Sequence, residues 1–111
     1  MTLSSVIECI PTLRELSRVE SARERNKVLK RCKKGCIYYA ISEIARNILL
    51  GNIPITSREK ILLKRYKVKL KSLNPKKTPL KERKEIIQRG GGFLPALLIP
   101  ALSALSHLIP G

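Results

Sequence analysis

The sequence predicts an all-α fold, a small bundle of about three to four helices followed by an apolar C-terminal helical tail. Three observations carry that expectation. Thr12 with Glu15, and Thr56 with Glu59, have the T-x-x-E spacing in which a threonine hydroxyl and a glutamate carboxylate satisfy the first free amides of a helix. Apolar residues recur at intervals of three and four between the turn signals. The one strand-like alternation, Lys67-Val68-Lys69-Leu70, sits inside a longer helical stripe.

The first helix is expected over about residues 12–33. Leu13, Leu16, Val19 and Ala22, then Val28, Leu29 and Cys32, supply its apolar positions, and the charged stretch 21–26 faces water. Gly35 interrupts, and Ile37, Ala40, Ile41, Ile44, Ala45, Ile48 and Leu49 form the broad face of a second helix, the expected centre of the core. It ends where Gly51 adopts the left-handed cap conformation. After Pro54 and the second box, a third helix spans about 57–73, with Leu62, Tyr66, Leu70 and Leu73 on its core stripe, widened by Ile61, Leu63 and Val68. Lys60, Lys64, Lys67 and Lys71 occupy the opposite face. Asn74-Pro75 stops it. Thr78 and Pro79 open a short fourth helix, about 79–89, whose large apolar residues are Leu80, Ile86 and Ile87.

The charge divides the chain into three segments. Residues 1–34 are a neutral-to-basic helical segment, 35–89 a basic helical core, and 90–111 an apolar tail hinged on Gly90-Gly91-Gly92. The formal net charge is +15, and residues 27–89 hold 19 Lys+Arg against four Glu. A balance of that size points to a polyanionic partner, nucleic acid or an anionic membrane surface. The candidate contacts to phosphate are Lys27, Lys30, Arg31, Lys33 and Lys34; Arg58, Lys60, Lys64, Arg65, Lys67, Lys69 and Lys71; and Lys76, Lys77, Lys81, Arg83 and Lys84. No base-reading Asn or Gln set accompanies the lysine row, so phosphate contact is expected rather than sequence readout.

Catalytic equipment is sparse. There is no aspartate, one histidine and no Gly-rich phosphate loop, so paired-Asp and Asp-held magnesium chemistries are excluded and no enzyme, cofactor or metal site is expected. Cys9, Cys32 and Cys36 lack the second ligand pair of a zinc site and read as reduced thiols. With no secretory n-region and apolar run at the start, an intracellular protein is expected. His107 has no partner residues for catalysis near it in sequence, and Tyr38, Tyr39 and Tyr66 read as packing residues, with base stacking as the alternative.

From Phe93 to Ile109 there are seventeen residues without a charge, which as a helix measure about 25 Å, slightly short of the roughly 30 Å of a bilayer core. Ala96, Pro100, Ser103 and His107 make a small or polar stripe, while Phe93, Leu94, Leu97, Leu98, Leu102, Leu105, Leu108 and Ile109 are the candidate contacts to a membrane or a partner protein. The alternative is that the tail folds back onto the bundle.

The run Arg89-Gly90-Gly91-Gly92-Phe93-Leu94-Pro95-Ala96-Leu97-Leu98-Ile99-Pro100 resembles the glycine-led apolar segment of the adenovirus core protein X precursor, source of the DNA-condensing peptide mu. Leu50-Gly51-Asn52-Ile53-Pro54, the stretch from Lys60 to Leu73 and the run from Lys81 to Ile87 are similar to the X-like proteins of adintoviruses and Polinton-type elements. The resemblance covers about residues 35–105. It implies a component of the virion core, present also in the host nucleus, that binds and condenses double-stranded DNA. It further implies processing by a viral cysteine protease, while the apolar tail by itself points to a capsid protein or an anionic membrane as its partner. Where the adenoviral peptide is dominated by arginine, this block is mostly lysine on helices.

Two other readings stand beside DNA condensation: a membrane-active or tail-anchored basic protein, and a helix-turn-helix regulator built on 41–49, the Gly51 turn and the basic helix at 57–73.

Overall fold

The computed structural model describes residues 8–19, 21–31, 36–89 and 91–105, and no strand occurs among them. Among the described residues there are seven α-helices where about three to four were expected, because two of the predicted helices are each broken in two. They are α1 (Ile10–Arg18), α2 (Ala22–Lys30), α3 (Cys36–Leu49), α4 (Ser57–Lys64), α5 (Lys67–Ser72), α6 (Leu80–Arg89) and α7 (Leu94–Leu105), with a single 3-10 turn, Gly91–Phe93, ahead of α7.

The first predicted helix breaks at Val19, which is extended (φ −84°, ψ 128°). Ser21 then caps α2, its hydroxyl accepting from the Glu24 amide at 3.2 Å. The S-x-x-E spacing of these two residues is itself a helix-start signature. The Thr12–Glu15 box is not used: α1 starts earlier, from Cys9, with a proline in its first turn. Proline lacks an amide proton and has its φ preset, so it suits that position.

The predicted 57–73 helix breaks at Arg65 and Tyr66, whose amides donate to the carbonyls three residues back, Leu62 and Leu63, at 3.3 and 3.0 Å. This tight turn shifts the stripe. Leu63, Leu70 and Leu73 are buried, whereas Leu62, expected in the core from its spacing, is 41% exposed.

Two local signals act as expected. Thr56 and Glu59 form a reciprocal capping box, with the Glu59 amide donating to Thr56 Oγ1 at 3.1 Å and the Thr56 amide to Glu59 Oε1 at 2.7 Å. Gly51 has φ 78°. The Asn52 amide donates to the Asn47 carbonyl at 2.8 Å and the Gly51 amide to the Ile48 carbonyl at 3.1 Å, the paired bonds of a Schellman cap that satisfy carbonyls left free at the end of α3. Asn52 Nδ2 donates to Asn47 Oδ1 at 2.9 Å and closes the turn a second time.

The tail lies inside. α7 packs most extensively along α1 and also meets α3 and α4, while α3 packs on α5 and α6, and α2 on α1 and α6. Phe93, Leu94, Leu97, Leu98 and Ala101 have no solvent exposure and join Leu13, Leu16, Ile37, Ile41 and Ile87 in one core. The centre is therefore shared by α3 and α7. The radius of gyration of 12.8 Å matches the roughly 13 Å of a globular domain of this length, so the three sequence segments form one body. No single helix among the described residues is long and apolar enough to cross a membrane; α6 and α7 reach that length and composition only as a pair bent by 105°.

Candidate nucleic-acid interface

The densest charge lies on α4, α5 and the turn after them. Residues 57–77 hold nine cations, Arg58, Lys60, Lys64, Arg65, Lys67, Lys69, Lys71, Lys76 and Lys77, and one carboxylate, Glu59. All nine are exposed. Glu59 is committed to the Thr56 amide, so its charge serves the start of α4. The Arg31–Glu15 and Arg46–Glu43 ion pairs, at 3.0 and 3.4 Å, lie outside this stretch.

Local structure fixes where the cations stand. Asn74 builds the turn after α5 with its own side chain, its Oδ1 accepting from the Lys76 amide at 3.0 Å and its carbonyl from the Lys77 amide at 3.1 Å. An asparagine does this readily because its side-chain oxygen reaches the backbone two residues on. The packing of α5 on α3 then brings Arg46, Lys71 and Lys77 around one hollow of about 200 Å³. Lys60, Lys64 and Lys67 border a second, of about 310 Å³. The two share Leu49 and Leu70, so they adjoin. Both are open and at or below the small end of ligand pockets, as suits a surface for an extended partner rather than a small molecule.

The lysine row predicted from spacing is thus divided, with Lys60, Lys64 and Lys67 on one side of Leu49 and Lys71 on the other. Arg46 joins it. Sequence reasoning misses Arg46 because it precedes the basic helices; only the α3–α5 contact reveals it.

Several predicted contacts belong elsewhere. Arg83 is 4% exposed: its Nε donates to the Thr78 carbonyl and its Nη1 to Ser42 Oγ, both at 3.1 Å, and the guanidinium lies 5.5 Å from the Tyr39 ring centre. It therefore ties α6 to α3 and is closed to phosphate. Lys84 Nζ lies 5.4 Å over the Tyr38 ring and Lys69 Nζ 5.9 Å over Phe93, cation–π contacts that occupy part of each charge. Arg31 is held by Glu15. Lys27, Lys30 and Lys81 are exposed but do not border the two hollows. Lys33 and Lys34 lie outside the described residues.

The structure also corrects the expectation for the tail. Phe93, Leu94, Leu97 and Leu98, predicted to meet a membrane or a partner, are each fully buried in the protein's own core, and Leu102 packs against that core half-buried. α7 is apolar around nearly its whole circumference but buries one side of it: Leu94, Leu97, Leu98 and Ala101 face the core, while Ile99 is 56% exposed. The Leu105 side chain, Leu108, Ile109 and His107 lie outside the described residues, as do the side chains of Cys32 and Cys36.

The tyrosines pack. Tyr38 is buried, its hydroxyl accepting from Gln88 Nε2 at 2.8 Å; Tyr66 stands 6.1 Å from Phe93, centre to centre; and Tyr39, 41% exposed, carries the Arg83 contact. Burial also takes in Arg25, whose guanidinium is held below its ordinary pKa by loss of solvent. The connection between α3 and α4 runs over residues 50–56, longer than the three or four residues of a helix-turn-helix.

Fold and surface thus define an all-α protein with a cationic side formed by Arg46, Lys60, Lys64, Lys67, Lys71 and Lys77 around two adjoining hollows. No protein-family model, curated protein or solved structure matches the chain.

Proposed function

We propose that the protein binds and condenses double-stranded DNA without sequence preference, as a core component of a virus or virus-derived element acting in the virion core and the host nucleus. One observation carries the reading: of the nine exposed cations along residues 57–77, eight besides the Phe93-bound Lys69 stand against a single carboxylate of that stretch, Glu59, which is already engaged. Lysine and arginine pair with phosphates and release condensed counterions, a gain that does not depend on base identity. The resemblance of residues 35–105 to X-like core proteins supports the same activity. The burial of Leu94, Leu97 and Leu98 supports reading α7 as part of the scaffold that presents the cations.

The test is the salt dependence of binding to two unrelated duplexes. Equal, steep slopes are expected, and replacing Lys60, Lys64, Lys67 and Lys71 by alanine lowers the slope by roughly 3 to 4 units, at about 0.9 for each phosphate no longer neutralised. A slope near zero, or a strong preference for one duplex, overturns the reading.

A further inference from the structure

The cationic side is not purely cationic. At its middle, the end of α3 exposes two large aliphatic side chains, Leu49 at 39% and Leu50 at 59%. Burial would normally be preferred for both. They stand on a turn held by the Schellman bonds of Gly51 and Asn52 and by the Asn47–Asn52 side-chain hydrogen bond, so the exposed pair is presented on a fixed support. Leu49 lines both hollows; Arg46, Lys71 and Lys77 flank it on one side, and Lys60, Lys64 and Lys67 on the other.

We propose that this leucine tip, ringed by cations, docks on an anionic bilayer, with Leu49 and Leu50 entering the acyl boundary and the surrounding ammonium groups meeting lipid phosphates and carboxylates. Charge complementarity selects the partner. A duplex offers phosphates and gains from the cations alone, whereas an anionic membrane offers both charge at the headgroups and apolar depth beneath them. Five of the six flanking cations are lysines, whose long stems lie along apolar material while the ammonium stays in the headgroup layer. The sixth, Arg46, is engaged by Glu43 at 3.4 Å. Such docking is peripheral and leaves α7 in the core. It stands independently of DNA binding, although the two partners share lysines and compete for them.

The experiment uses the full 111-residue chain and sedimentation with vesicles of phosphatidylcholine, either pure or with about 30% phosphatidylserine, an anionic surface of the kind that draws basic segments. Wild type is expected on the anionic vesicles and not on the neutral ones. Leu49→Ser with Leu50→Ser lowers anionic-vesicle partitioning by about tenfold while the salt slope of duplex binding, which the cations set, is unchanged. The chain has no tryptophan, so Leu50→Trp gives a single reporter, whose emission shifts to the blue on anionic vesicles and is quenched by brominated acyl chains. Equal vesicle binding by the serine variant, or a tryptophan that stays in water, overturns the proposal, as does wild type remaining in the supernatant. A parallel loss of duplex affinity in the serine variant also overturns it and places the tip on DNA. Should the serine variant fold poorly by circular dichroism, the tryptophan readout decides.

Discussion

Arg83 and Lys60 carry the same formal charge, but their surroundings give them different work. Arg83 spends two donors on Thr78 and Ser42, and Ser42 in turn donates to the Tyr38 carbonyl at 2.9 Å, so a short chain of polar contacts crosses from α6 into α3. Arg83→Met is expected to lower stability by about 2 kcal/mol, because buried acceptors lose their donor, while leaving the salt slope of DNA binding as in wild type. Thermal unfolding followed by circular dichroism, alongside the duplex titration, checks both halves. No spacing rule separates the two cations in the sequence. Arg83 sits in a run with Lys81 and Lys84, and its fate is decided by Ser42, forty-one residues earlier.

At the scale of elements, start signals are legible where the side chains have no stronger competitor. Thr56 and Glu59 form their box, and Thr56→Ala is expected to cost about 1 kcal/mol, whereas Thr12→Ala, at a box the fold bypasses, is expected to change stability by no more than about 0.3 kcal/mol. Chemical denaturation midpoints of the two variants make the comparison. Thr12 loses its role because Cys9 and Pro11 begin α1 one turn earlier, and the Ser21–Glu24 signature is masked because the apolar periodicity runs through it. Periodicity also bridges the Arg65–Tyr66 turn, since Leu62, Tyr66, Leu70 and Leu73 fit an unbroken stripe. A pattern of apolar spacing cannot register a break that shifts the stripe from Leu62 to Leu63. The cationic surface is legible as composition, but its division into two hollows around Leu49 depends on how α5 meets α3.

Across the whole molecule, the apolar tail is the largest departure from the sequence reading, and its physical reason is simple: Leu94, Leu97, Leu98 and Ala101 give α7 a continuous apolar side that burial against α1 and α3 removes from water. Leu97 is fully buried between the elements that α7 joins, so Leu97→Ala is expected to destabilise the protein by about 2 to 5 kcal/mol, and a chain ending at Gly90 to lose cooperative unfolding altogether. Calorimetry of both variants is the measurement; a Gly90 truncation that still melts cooperatively would place the core elsewhere. The pairing of α1 with α7 has a further consequence, in time rather than in space. Its two helices are separated by more than seventy residues of chain, so their pairing closes a long loop and its entropy must be met before the core rewards it. During synthesis α1 emerges early and waits, with Leu13 and Leu16 uncovered, until α7 has left the ribosome. Completion of the core is thus gated by the chain's own translation.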